Sequence, residues 1–92
     1  MRECEANILR QVSELLNAHT DRLSALGITW RGPEIEVWQS EQELYTSELR
    51  VTIVRDGRLD DVLEFHLFRG GELLVTAEEV TKWFHEQLND LR

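Results

Sequence analysis

The chain has 92 residues, 41% of them apolar and 30% charged, with 18 acidic residues against 10 basic ones and a formal net charge of −8. That composition suits one folded domain and not a disordered segment, and its sign works against phosphate backbones and anionic membrane surfaces, which the chain repels at long range. A single cysteine, Cys4, leaves no internal disulfide to form; the segment Met1-Arg2-Glu3-Cys4-Glu5 lacks the apolar core of a signal peptide, so a cytoplasmic location without a membrane span is expected.

A helix is expected from Glu3 to about Leu26. Ile8, Val12, Leu15, Leu16, His19, Leu23 and Leu26 recur at steps of three and four, which places them on one face. Glu3 and Glu5 lie near its start, where the helix dipole favours negative charge. Gly27 suits the left-handed position that ends such a helix, and Ile28 can fold back onto Leu23. Thr29 to Pro33 then reads as a connector, because Pro33 has no N–H to give to a sheet ladder.

Glu34 to Gln39 alternates, with Ile35 and Val37 on one side and Glu34, Glu36 and Trp38 on the other, which predicts a short strand. Ser40 to Glu43 is a polar turn. Leu44 to Val54 alternates again, with Leu49, Val51 and Ile53 sharing a face; Arg58 to Arg69 places Leu63, Phe65 and Leu67 together. Asp56-Gly57 between these runs signals a hairpin. A two-residue turn in a regular ladder would set acids opposite the apolar side, pairing Ile53 with Asp60 and Leu49 with Glu64. The expectation is therefore a three-residue turn, Arg55-Asp56-Gly57, that pairs Ile53 with Leu59, Leu49 with Leu63 and Ser47 with Phe65. A bulge at Asp60-Asp61 is the other way to rescue the pattern.

Gly70-Gly71 makes a further turn, and Glu72 to Val75 is expected to add a short fourth strand. The last helix should run from Ala77 to about Asp90, with Thr76 as N-cap, Glu79 completing a capping box and Val75 stapled to Val80. The order is α-β-β-β-(β)-α: an α+β fold with an antiparallel three- or four-stranded meander and both helices on one face of the sheet. The expected core is Ile8, Val12, Leu15, Leu23, Leu26, Ile35, Val37, Leu49, Val51, Ile53, Leu63, Phe65, Leu67, Val80, Phe84 and Leu88.

Helices on one face leave the other as surface. Trp38, Arg50, Thr52, Val54, Val62, Glu64, His66 and Phe68 should line it, and Trp38, Val62 and Phe68, if adjacent, would form the kind of apolar patch that marks an interface. A homodimer is the simplest use of such a patch, through the exposed sheet face or a strand edge.

The residues that could carry chemistry are scattered. His19 sits inside the apolar stripe of the first helix, where a hydrogen-bonded core histidine is the commoner reading. His66 shares a strand face with Glu64, but two ligands do not make a metal site. His85 flanks the apolar face of the last helix. Cys4 stands between two acids, which disfavours a thiolate. Gly70-Gly71 has no following Lys-Ser or Lys-Thr, so it is no phosphate loop. No catalytic residue, cofactor or metal site is expected. The element order is similar to that of double-stranded RNA-binding domains, which carry a lysine cluster at the start of the last helix. Here that segment is Thr76-Ala77-Glu78-Glu79-Val80-Thr81-Lys82, and its acidity excludes nucleic acid. Order and charge are also similar to type III secretion chaperones, although no motif makes the link. The expected function is a non-enzymatic acidic protein-interaction domain. An acidic inhibitor or immunity-type protein for a basic partner is one alternative. Another is a small-ligand or enzymatic domain with a pocket between helices and sheet, near His19 or Trp83.

Overall fold

The computed structural model describes residues 2–39 and 44–92, so the expected polar turn Ser40–Glu43 lies outside the described residues. In chain order come α1 (Glu3–Ala18), α2 (Thr20–Ala25), β1 (Ile28–Gln39), β2 (Tyr45–Arg55), β3 (Arg58–Arg69), β4 (Glu72–Leu73) and α3 (Ala77–Asp90). The strands form one antiparallel sheet in the order β1-β2-β3-β4. Ile8, Val12 and Leu16 of α1 and Val80, Phe84 and Leu88 of α3 are buried with the inward side chains of β2 and β3. The α+β architecture is the one the pattern of apolar residues calls for.

The helical stripe is nevertheless two helices. His19 leaves helical geometry at φ −96° and ψ 4°, and its N–H reaches back to Leu16 O at 3.0 Å. Thr20 Oγ1 donates to Asn17 O at 2.9 Å, a side-chain bond that competes with the helical ladder. Asn, His and Thr in succession around Ala18 give little intrinsic support to continuing the helix. The break lets α2 turn onto β1 while Leu23 stays in the core.

β1 begins at Ile28, so the expected connector Thr29–Pro33 is strand. Thr29 pairs with Val54 and Trp30 with Ile53, and the ladder shifts register between Arg31 and Glu34 to pass Gly32-Pro33. A proline is tolerated there because β1 is an outer strand. At the hairpin Arg55 pairs with Arg58, so the turn is the two-residue Asp56-Gly57, with φ of 51° and 79°, and not the expected three-residue turn. Parity is restored by a bulge: the register shifts between Ile53 and Val54, Ile53 faces Asp61, Val51 faces Leu63 and Leu49 faces Phe65. Asp60 is the extra residue. A second shift at Leu67 sets Ser47 opposite Phe68.

Most of the expected core is buried; Leu15, Leu26, Ile35 and Phe65 are packed against it only in part. Val37 is the exception, at 40% exposed, because burial fades along β1 from Ile28 towards Gln39. Leu16, Ile28, Tyr45 and Phe68 join the core. The fourth strand is shorter than expected and stops at Leu73. Thr76 caps α3 as expected, accepting from Glu79 N at 3.2 Å.

Three polar ties fasten the layers. Arg22 on α2 donates to the last carbonyls of α3, reaching Leu88 O at 2.7 Å, Asn89 O at 3.0 Å and Leu91 O at 2.7 Å. Asp56 N in the hairpin turn donates to Gly27 O at 2.9 Å. At the other end Glu5 is fully buried and its Oε1 accepts from Arg2 N at 2.8 Å and Tyr45 Oη at 2.6 Å. The Arg2 guanidinium lies over the Tyr45 and Phe68 rings at 4.2 and 4.7 Å.

Candidate interaction surface

The side of the sheet away from the helices carries, row by row across β1, β2 and β3, Trp38 beside Thr46, Glu36 beside Glu48 beside His66, Glu34 beside Arg50 beside Glu64, and Arg31 beside Thr52 beside Val62. Of the residues expected there, Trp38, Arg50, Thr52, Val54, Val62, Glu64 and His66 lie on this side. Phe68 does not: the bulge at Leu67 turns it inward, where it is 4% exposed and meets Tyr45 edge to face at 5.3 Å. Trp38, 44% exposed, and Val62 are separated by the run from Thr46 to Thr52 on β2, about 20 Å along the strand. The contiguous apolar patch expected of Trp38, Val62 and Phe68 therefore does not form.

What occupies the centre is charge. Arg50 receives one carboxylate from each of three strands: Glu36 Oε2 of β1 at 3.4 Å, Glu48 Oε1 of β2 at 3.3 Å and Glu64 Oε1 of β3 at 3.3 Å. Desolvation works against the guanidinium charge, but the Glu48 hydrogen bond and the charges of Glu64, Glu36 and Glu48 outweigh it and raise its pKa further. His66 Nδ1 lies 3.6 Å from the other Glu48 oxygen. The Glu64–His66 pair noted in the sequence is thus drawn into a carboxylate cluster, not closed on itself. Burial of Glu48 to 7% follows from its place under Arg50 and beside His66.

A hollow of about 320 Å³ opens where the outer edge of β3 meets the start of α3. It is lined by Glu64, Phe65, His66, Leu74, Val75 and Trp83. Trp83 meets Phe65 edge to face at 5.1 Å and Phe84 at 4.9 Å, which fixes the floor. Leu74, expected in a strand or leading to the helix, lines the hollow and stands 45% exposed; Leu73, in β4, is 47% exposed. The sequence offered a pocket near Trp83 only as an alternative, and the hollow lies at the sheet edge, away from His19.

The remaining candidates fall elsewhere. His19, at the junction of α1 and α2, meets His85 of α3 edge to face with ring centroids 5.5 Å apart; burial, then the charges of His85 and Arg22, push the His19 pKa down. Cys4 packs partly against the core. Among the described residues no cluster of three or more His, Cys, Asp or Glu side chains is arranged to hold a metal, and no helix is long and apolar enough to cross a membrane. Comparison of the chain with protein-family models, with curated proteins and with solved structures found no match.

Proposed function

We propose that the protein is a non-enzymatic interaction domain that binds a basic protein partner through the outer side of its sheet. The observation that carries this reading is the charge balance of that side. Glu34, Glu36, Glu48 and Glu64 are set against Arg31 and Arg50, and Arg50 is already shared among three of them. Partner cations would complete a network that the chain leaves acidic, and the formal net charge of −8 would speed the encounter. An inhibitor or immunity-type protein that masks a basic surface is one form of this function. A homodimer through the same surface would set like charges together, so a basic partner fits it better than a second copy.

Affinity capture from cells tests the reading. The expected result is a basic protein that is retained at about 50 mM salt and released by about 500 mM, as the screening length shrinks to a few ångströms, and that is lost with Glu36→Lys. A partner indifferent to salt and to that substitution, or an acidic partner, overturns it. The hollow beside Trp83 favours a second reading, a site for a small apolar ligand; quenching of Trp83 fluorescence by a neutral apolar compound, unchanged by salt, would distinguish it.

A further inference from the structure

β3 has an edge that the chain itself hardly uses. β4 pairs only with Phe68 and Arg69, and Leu74 N donating to Leu67 O at 2.8 Å extends that contact by a single bond. From His66 back to Asp61, between the two bulges, β3 keeps a regular register with β2 on one side. On its other side no strand pairs with it among the described residues. Every second residue of this stretch therefore directs its N–H and C=O outward, with Val62 N already donating to Asp61 Oδ1 at 2.8 Å. The opposite outer strand is guarded: α1 and α2 lie against β1, and Pro33 interrupts its ladder. The hollow at Trp83 opens on the free edge of β3 and on no other strand.

We propose that this edge takes up an extended segment of the basic partner as an added strand, with cationic and large apolar side chains in alternation. The inference rests on the interaction reading and specifies its ligand. Side chains of an added strand alternate between the two sides of the sheet. Those on the outer side would lie beside Val62, Glu64 and His66, where Glu64 calls for a cation. Those on the helix side would lie beside Leu63 and Phe65 and drop towards the hollow closed by Leu74, Val75 and Trp83. Charge chooses the occupant. Between its terminal Arg58 and Arg69 the strand bears Asp60, Asp61 and Glu64, and the first turn of α3 adds the exposed Glu78 and Glu79. Arg55, which flanks the turn together with Arg58, is committed to Asp60 at 3.6 Å. A second copy would bring the same acids to the same edge.

The test titrates the intact, isotope-labelled protein with a synthetic peptide, acetyl-Lys-Val-Lys-Leu-Lys-Val-Lys-amide, and with a block isomer of the same composition. The alternating peptide is expected to protect amides within Asp61–His66 from exchange and to shift Trp83 fluorescence, and the block isomer to do neither. Leu74→Glu, at an exposed position outside the core, should weaken binding about tenfold or more, and Glu64→Gln should weaken it and flatten its salt dependence. If the peptide binds but the changes centre on Trp38 and Arg50 and Leu74→Glu is neutral, the strand inference falls and the interaction reading stands. If neither peptide binds at millimolar concentration, both fall. If the protein alone forms a concentration-dependent dimer that protects Asp61–His66, the edge belongs to a second copy and the inference is overturned.

Discussion

Glu5 Oε1 accepts a hydrogen bond from Tyr45 Oη at 2.6 Å, joining the first turn of α1 to the first residue of β2. Both groups are shielded from water. Burial alone would push the Glu5 carboxyl up, but the Ser47 hydroxyl, the Tyr45 hydroxyl and Arg2 N–H outweigh it and hold its pKa below the ordinary value. Among the described residues, Glu5 Oε2 and Ser47 Oγ, both buried, find no partner of good geometry, so the serine acts on the carboxylate as a nearby dipole. The phenol answers in the opposite sense: burial, then the bond to Glu5 and its charge, push Tyr45 up to about 12. Tyr45→Phe leaves the carboxylate buried with one donor fewer and is expected to cost about 1–3 kcal/mol in denaturant unfolding. Glu5→Ala should cost a similar amount. The double variant should cost less than the sum, because the two side chains share one interaction.

Acid should loosen the fold in two stages. The folded-state pKa of His19 is depressed, so the folded protein binds this proton less readily than the unfolded chain does. Its contribution is complete above the unfolded value near 6.5 and is lost as pH falls through that value to the folded one. The groups facing it are His85 on α3 and Arg22 on α2, both of which oppose a second positive charge. Glu5 behaves likewise lower down, with stability present above its unfolded value of 4.5 and lost as pH falls through the folded one. Melting temperature measured from pH 8 to 3 should therefore decline in two steps. His19→Gln should remove the upper step and Glu5→Gln the lower; a profile unchanged by either substitution contradicts the assignment.

Tyr45 sets the alkaline limit. Its folded pKa, raised to about 12, exceeds the ordinary value of 10.0, so the protonated phenol is favoured by folding. That contribution is complete below pH 10.0 and is lost as pH climbs towards 12. Ultraviolet titration should show Tyr45, the one tyrosine of the chain, ionising only as the protein unfolds.

Arg22 closes α3 from a neighbouring helix. Its guanidinium donates to Leu88 O, Asn89 O and Leu91 O, carbonyls that a helix end otherwise leaves to water. Arg22→Ala is expected to cost about 1–2 kcal/mol. Arg22→Lys should recover less than half of that, because an ammonium cannot fork across several carbonyls. Amide exchange should quicken first in the last turn of α3.

A side chain at Gly27 is disfavoured for two separate reasons. Its φ is +74°, and a Cβ there would run into the Asp56 carboxylate in the hairpin turn. Gly27→Ala should destabilise by about 1–3 kcal/mol, and Gly27→Ala with Asp56→Gly should recover the part that comes from the clash.

How much of this was written in the sequence depends on the range of each interaction. The helical stripes, the Asp56-Gly57 turn and the Thr76 cap are local patterns and were legible as such. Leu23 was assigned to the right face although the helix breaks at His19, because α2 resumes the same stripe. The hairpin register was read with the wrong turn length, since a three-residue turn and a two-residue turn with a bulge at Asp60 both restore parity, and nothing local separates them. Phe68 was misplaced because one inserted residue at Leu67 reverses the alternation beyond it. Glu5 looked like an ordinary acid at a helix start; its burial depends on Tyr45, forty positions away. On the candidate surface seven of the eight expected residues lie on the outer side of the sheet, and that side is charged at its centre where an apolar patch was expected. Arg50 and Glu64 were named, yet the convergence of Glu36, Glu48 and Glu64 on one guanidinium is a matter of alignment between strands. The hollow at Trp83 had no signal beyond the aromatic residues themselves.

That convergence has a bearing on how the sheet finds its alignment. Each carboxylate reaches Arg50 from a different strand, so the arrangement exists for only one pairing of β1 and β3 with β2. A slip of one residue would carry Glu36 or Glu64 through to the helix-covered side, among apolar neighbours and away from any counter-charge. One guanidinium in the central strand thereby penalises misaligned pairings on both of its flanks, and it does so during assembly, before any partner is involved.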